Sequence, residues 1–485
     1  MDADQSLQII QDRYDFIFKE KQLDSVKSIL ENKDCFIVLP TGYGKSRIYF
    51  HLPELFEMTT TKKSSILVIS PLQALMLDQM KKLQDMGITA TVVGECQKDK
   101  GVADRISAGD YSIVFHPLRL HSCQVYGEEV LQVDISTLLG AEFRQEYSML
   151  DKLRSVFPEK TPFVALTATA TKEMKFEIMK KLNMEQDRTD TIWMLPERPN
   201  LTYIVKKTTK QMTDLQWILN DIKVNEERLK KTIVYCRNIS SCAALYEYFF
   251  YELSESADDV HSRRIAMFHR STAEANKVHV MSEFPKLDSK VCIVFATIAF
   301  GMGVDIADVE QIIHWGAPRG LEQFTQESGR AGRDGRHALS VVYYSSFDIS
   351  KGRCKESVAD FCKKVKCCKE ILSDYFSLDN KPHRSITKTC NCCSFCKANC
   401  ECGCCDRLDF IDNIASTQQQ YKLQDEDADL HRHISDNESI LLKENLLDFH
   451  SILEDEDAPG CTYISTTQQS MKLFVMRLIF TVKKT

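Results

Sequence analysis

The string Thr41-Gly42-Tyr43-Gly44-Lys45-Ser46 gathers the residue types that a phosphate chain requires. Glycines let backbone N–H groups converge on phosphate oxygens, Lys45 adds charge at the terminal phosphates, and Ser46 can ligate Mg2+. The strict pattern has glycine where this chain has Leu39. A second constellation is made of thiols: Cys390, Cys393 and Cys396 stand at two-residue intervals, with Cys367 upstream. Thiolates so spaced bracket a tetrahedral Zn2+ at about 2.3 Å, and a fourth from a preceding helix closes a structural site. Cys362, Cys368, Cys392, Cys400, Cys402, Cys404 and Cys405 compete for the same register. A third is Gly329-Arg330-Ala331-Gly332-Arg333-Asp334-Gly335, two arginines on a glycine-rich segment.

These groups need a scaffold, and hydrophobic patterning supplies one. From about Gln22 to Leu195, short β-branched runs (Cys35 to Leu39, Ser65 to Ile69, Tyr111 to Phe115, Phe163 to Leu166) alternate with stretches of helical spacing such as Leu72 to Leu83 and Glu173 to Leu182. That is the pattern of a parallel sheet with crossover helices. After Pro196 and Pro199 a second series begins, with strands at Lys231 to Cys236, Val291 to Ala296, Gln311 to His314 and Ser340 to Tyr344. The fold class is therefore α/β. The expected domains are 1–196, then 197–350, a cysteine-rich segment 351–408, and an acidic, weakly ordered tail 409–485.

Composition bounds the function. The 485 residues carry a net charge of −7, which on its face argues against a nucleic-acid partner. Asp425 to Asp457, however, holds twelve acidic residues against Arg432 and Lys443, so the remainder of the chain is net positive. Eleven cysteines fall between Cys362 and Cys405. With a polar start from Met1 to Ser6 and the longest late apolar run, Leu473 to Val482, interrupted by Arg477, we expect a soluble intracellular protein with reduced thiols and no membrane partner.

In order and spacing, Leu39 to Ser46, Ser70-Pro71-Leu72 with Asp78-Gln79, Leu166 to Thr171, and Ala296 to Asp305 resemble the motifs of superfamily 2 helicases, and Gln326 to Gly335 closely resembles the RecQ family of DNA helicases. The resemblance spans about residues 14–396. It implies two RecA-like domains, a helical zinc-binding subdomain, ATP, Mg2+ and Zn2+ as cofactors, and 3′ to 5′ unwinding of DNA in repair and recombination in the nucleus. DNA, as single strands and duplex junctions, is the implied partner. Phe18 to Gln22 looks like the adenine-recognition motif, with Gln22 pairing with the base and Lys19 where arginine is usual. Thr41, Gly42, Gly44, Lys45 and Ser46 would hold phosphates and Mg2+. Arg333 matches the arginine finger, beside Arg330 and the motif residue Gln326. Cys367, Cys390, Cys393 and Cys396 match the zinc ligands. A DEAD-box RNA helicase is disfavoured by the arginine string and the cysteine module.

One motif is missing. The family's Asp-Glu-Ala-His, whose Asp positions Mg2+ and whose Glu polarises the attacking water, has no counterpart between Pro117 and Phe143. The segment reads Glu128 to Ser136, with Asp134 as the substitute Mg2+ ligand and Ile135 where the base should be. Beside the family the first domain is shortened internally around 121–142, and a gap between intact motifs reads as an omitted exon, an altered transcript or an incomplete gene model. A rival expectation is an ATP- and DNA-binding protein deficient in hydrolysis. The winged helix common after the zinc module is not evident in 409–485.

Overall fold

The computed structural model describes residues 1–61, 63–70, 73–93, 101–116, 129–134, 154–155, 157–158, 161–208, 212–224, 229–253, 263–301, 306, 308–363, 366–379 and 391–401. The expected acidic tail lies outside them. Two parallel sheets organise the chain. The first contains β1 (Asp34–Val38), β2 (Ser65–Ile69), β3 (Ala90–Val92), β4 (Ile113–His116), β5 (Glu129–Asp134), β6 (Phe163–Thr167) and β7 (Thr189–Trp193), in the order β3-β4-β2-β5-β6-β1-β7. The second contains β8 (Leu201–Lys207), β9 (Lys231–Cys236), β10 (Ile265–Phe268), β11 (Ile293–Ala296), β12 (Val309–Trp315) and β13 (Ala338–Tyr344), in the order β10-β11-β9-β12-β13-β8.

Alternation along β1 explains why it is buried on both sides. Cys35, Ile37 and Leu39 face one core with Ile66, Val68, Ile113 and Phe115, covered by helices Ala3–Arg13, Glu20–Leu30 and Leu52–Thr60. Phe36 and Val38 face the other with Phe163 and Ala165, covered by helix Lys172–Lys181. Such two-sided burial is what continuous apolar strands of a parallel sheet demand. The second sheet repeats the scheme. Val234, Ile293 and Ile313 pack with helix Ile239–Glu252, while Tyr235, Val294 and Ile312 pack with helix Leu321–Ser328 and with Cys367, Cys392, Cys393 and Cys396.

The cysteine module thus extends the second core. Its segment 391–394 lies along the edge strand β8: Tyr203 N–H donates to the Cys392 carbonyl at 3.2 Å, and Thr202 Oγ1 donates to that of Asn391 at 2.6 Å. Pairing of that kind protects a sheet edge. Leu378, just past helix Cys368–Phe376, packs instead on the first domain's core.

The expected strands are present with boundaries shifted by up to two residues. β3, β5, β7, β8 and β10 were not expected. No described helix is long and apolar enough to cross a membrane.

Candidate active site

In an open parallel sheet, ligands gather beyond the carboxyl ends of the strands. β1 ends there at Val38, and the phosphate-type loop follows at once. Gly42 and Gly44 have φ of +84° and +86°, in the left-handed region that favours glycine. Gly44 has a second reason to lack a side chain, because a Cβ there would stand 2.7 Å from the Gln22 amide nitrogen.

That amide is the loop's internal brace. Gln22 is 3% exposed; its Nε2 donates to the carbonyls of Tyr43 and Gly44, both at 2.9 Å, and its Oε1 accepts from Lys19 N–H at 2.9 Å. Gln22, expected to read a base, is thus committed to loop backbone in this structure. Lys19 places its ammonium 4.8 Å from the centroid of the Tyr43 ring. Lys45 Nζ donates to the carbonyls of Leu39 and Pro40 at 2.9 and 3.2 Å, which folds its charge over the mouth of the loop. Ser46 Oγ accepts from Gln79 Nε2 at 3.3 Å, and Tyr49 OH donates to Gln79 Oε1.

A cavity of about 580 Å³ opens beside this loop, lined by Lys19, Thr41, Gly42, Tyr43, Trp193 and Arg198, among others. Its far wall is the segment joining the two sheets. From that segment Arg198 reaches the second domain: Nη1 donates to the Gly329 carbonyl at 2.8 Å, and Nη2 to those of Ala331 and Gly332 at 2.7 and 2.8 Å. Asn200 Nδ2 donates to Gly332 and Arg336 carbonyls at 2.8 and 2.7 Å. The loop held in this way meets the first domain, since a Cβ on Gly329 would stand 3.6 Å from Thr41 Cβ and Oγ1. Arg198 and Asn200 were missed by sequence reasoning. The local signal was the Arg198-Pro199-Asn200 string after a proline break.

Arg330 and Arg333 line a narrow cavity with Ile233, Phe300, Ile306 and Val309, near Tyr235, whose hydroxyl burial pushes well above the ordinary tyrosine range. Gln326 lies on helix Leu321–Ser328, one residue before Glu327. Glu327 is buried and paired with His314 Nε2 at 2.9 Å, and it accepts from Gln323 at 2.9 Å.

Asp134 closes β5, which runs between β2 and β6; the register sets it opposite Leu166, one residue before Thr167. Thr167 pairs in turn with Val38, at the root of the phosphate loop. The threonine string after β6 is a hydrogen-bonded turn: Thr167 Oγ1 donates to the Thr169 carbonyl at 3.0 Å, and Thr171 caps helix Lys172–Lys181 through Met174 N–H at 3.3 Å.

Four buried thiols, Cys367, Cys392, Cys393 and Cys396, keep their sulfurs within 4.8 Å of one another. Cys367 Sγ is 3.5 Å from Cys392 Sγ and 4.0 Å from Cys393 Sγ. Thiolates around a tetrahedral ion at about 2.3 Å stand about 3.8 Å apart, so the set fits a closed metal site. Hydrogen bonding with Cys367 draws the Cys393 thiol below its ordinary range, and burial pushes Cys396 up to about 12. Cys390 of the expected set lies outside the described residues, and Cys392 stands in the described cluster.

Comparison with known proteins agrees with this geometry. Residues 19–176 match the DEAD/DEAH box helicase family and residues 211–335 the helicase conserved C-terminal domain. The chain is 32% identical to the RecQ-like DNA helicase BLM of Xenopus laevis over 362 residues, 69% of this chain and 25% of that protein. It is 27% identical to the ATP-dependent DNA helicase RecQ of Pasteurella multocida over 414 residues, 78% of this chain and 60% of that one. It spans about a quarter of the first relative's length. Among solved structures, the DUF1998 helicase MrfA bound to DNA matches with a TM-score of 0.55 at 15% identity, over 74% of this chain and 51% of that one. A DEAD-box helicase bound to ssRNA and UDP-BeF matches at 0.56 and 15%, over 75% and 78%. These two carry the fold. With both helicase domains matched in tandem, the chain carries a two-domain helicase core, and over that core it is similar to RecQ helicases from an amphibian and a bacterium.

Proposed function

We propose that this chain is an ATP-dependent 3′ to 5′ DNA helicase of the RecQ type, acting in nuclear DNA repair and recombination. The observation that carries the reading is the seating of the arginine loop at Gly329 against Thr41 of the phosphate loop, across the domain boundary. A nucleotide in the adjoining cavity would touch both domains, so hydrolysis would change how they hold together. Lys45 and the Gly42 and Gly44 backbone bind the phosphates, and Ser46 and Asp134 would hold Mg2+, which would supply charge neutralisation at the phosphates. Arg333, with Arg330 and Gln326 on the same loop and helix, stabilises charge developing on the transferred phosphoryl group. The thiol cluster is a structural Zn2+ site built from Cys367, Cys393 and Cys396 with a fourth ligand from Cys390 or Cys392. The module's excess of lysine over acidic residues suits it to a DNA backbone.

The test is DNA-stimulated ATP hydrolysis by purified protein, with Lys45→Ala as control. A rate above the control and strand separation from a 3′ overhang support the proposal. A rate equal to the control, with nucleotide and DNA still bound, establishes the hydrolysis-deficient reading that Ile135 favours.

A further inference from the structure

The contact that ties the second domain's arginine loop in place originates outside that domain's own motifs. Arg198 stands in the segment between β7 and β8, borders the cavity beside the phosphate loop, and sends its guanidinium to three carbonyl acceptors on the loop. Those carbonyls belong to Gly329, Ala331 and Gly332, so they bracket Arg330 and immediately precede Arg333. Asn200, two residues on, fixes the loop's exit through Gly332 and Arg336. A guanidinium is a planar fork with donors on separate nitrogens; one ammonium cannot present that geometry to acceptors so spread along a backbone. Burial lowers the guanidinium's pKa, consistent with donors committed to protein rather than water.

We infer that Arg198 is a positioning residue that sets where Arg330 and Arg333 point, and that through it the wall of the nucleotide cavity and the arginine loop move as one piece. The inference rests on the reading of that cavity as a nucleotide site; the clamp itself is tested without it. Two consequences follow. Loss of the guanidinium should loosen the loop selectively, and it should weaken the site's complementarity to a transferring phosphoryl group more than its affinity for a ground-state nucleotide.

The experiment uses the full chain as wild type, Arg198→Ala and Arg198→Lys. Hydrogen–deuterium exchange followed by mass spectrometry should show amides of 329–336 exchanging roughly tenfold faster in both variants, the loss of one or two charge-assisted hydrogen bonds, while the β9 and β12 amides keep their protection. In parallel, a fluorescent ADP is titrated with and without aluminium fluoride, which completes a mimic of the transferring phosphoryl group. The ratio of the two affinities should fall about tenfold in both variants. Because it is a ratio, a general loss of nucleotide binding cancels. Unchanged exchange at 329–336 in Arg198→Ala overturns the clamp, and restoration of both readouts by Arg198→Lys overturns the role of the fork. A wild type that binds no ADP overturns the proposed function, while the exchange result still decides the clamp.

Discussion

His51 offers a measurable consequence of how the phosphate loop is supported. It sits between helices Arg47–Phe50 and Leu52–Thr60, just after the loop, and is 1% exposed. Its ring stacks on Phe16 at 5.0 Å and 20°, lies 4.6 Å from Tyr14, and meets Phe18 edge-on. Neither ring nitrogen has a hydrogen-bond partner among the described residues. Burial, with the Arg47 guanidinium adding to it, lowers the imidazole's pKa to about 4. Beyond Tyr14, Glu54 is paired with Arg13. The sign follows from proton counting. Between about pH 6.5 and pH 4 the unfolded chain binds a proton at His51 that the folded chain does not, so stability falls as pH falls through that window and levels off below it. A shift of this size corresponds to roughly 3 kcal/mol in full, of which about 2 kcal/mol is lost by pH 5. His51→Phe keeps the aromatic packing and removes the titration. Urea unfolding of wild type and variant at pH 7.5 and pH 5.0 cancels every group they share. The variant should gain about 2 kcal/mol relative to wild type on acidification. Equal differences at the two pH values would mean that His51 is not held neutral by burial, and the packing argument would fail.

Other expectations are equally concrete. Gly42→Ala adds only left-handed strain, about 1–2 kcal/mol, because nothing lies within 4 Å of the new Cβ, whereas Gly44→Ala must also displace the Gln22 amide; ADP titration should show Gly44→Ala binding weaker by a further tenfold or so. Arg154 is paired with the buried Asp34 and stacked 3.7 Å from the Phe163 ring centroid, so Arg154→Ala should destabilise the first domain by about 3–5 kcal/mol in urea unfolding. Cys393→Ser should abolish stoichiometric zinc in elemental analysis of the purified protein and lower its melting temperature; unchanged metal content would refute the site. If the missing base limits hydrolysis, Ile135→Glu should raise the DNA-stimulated rate by about a hundredfold, and no gain would show that the base is not what the site lacks.

How far this was legible in the sequence depends on where each residue's partner lies. β2 and β9 announced themselves because each is a β-branched run buried on both faces. β3 is three residues long, and β7 is half-exposed along its length, so neither gives a periodic signal. The phosphate loop was readable because its chemistry is local. Gln22 was readable as important, but its work on the Tyr43 and Gly44 carbonyls was not, since backbone acceptors leave no mark on residue type. For the same reason Arg198 was invisible: its acceptors are carbonyls more than 130 positions away. Among the thiols the spacing rule located the cluster, while the choice of neighbour at 390 or 392 depends on how the edge of β8 is paired.

The strand β5 shows how a chain can keep a fold while altering its chemistry. A slot between two parallel strands asks only for apolar, β-prone residues in register, and Val130, Leu131 and Val133 meet that demand beside Ile66, Leu67 and Ile69. The sheet therefore closes in full although the expected motif is missing. Chemistry asks for more, because a carboxylate must stand at the carboxyl end of that strand, level with the root of the phosphate loop. Register sets the backbone of one acidic residue there, the proposed Mg2+ ligand: Asp134 pairs with Leu166, Leu166 with Ile37, and Ile37 lies two residues before Leu39. It does not set a second, because the next residue in the chain is Ile135. Metal binding and water activation are separable demands on neighbouring positions, and packing selects for neither. On the proposed reading the first demand falls to Asp134 and the second position in the sequence is Ile135, so nucleotide affinity and turnover should part company here more than anywhere else in the site.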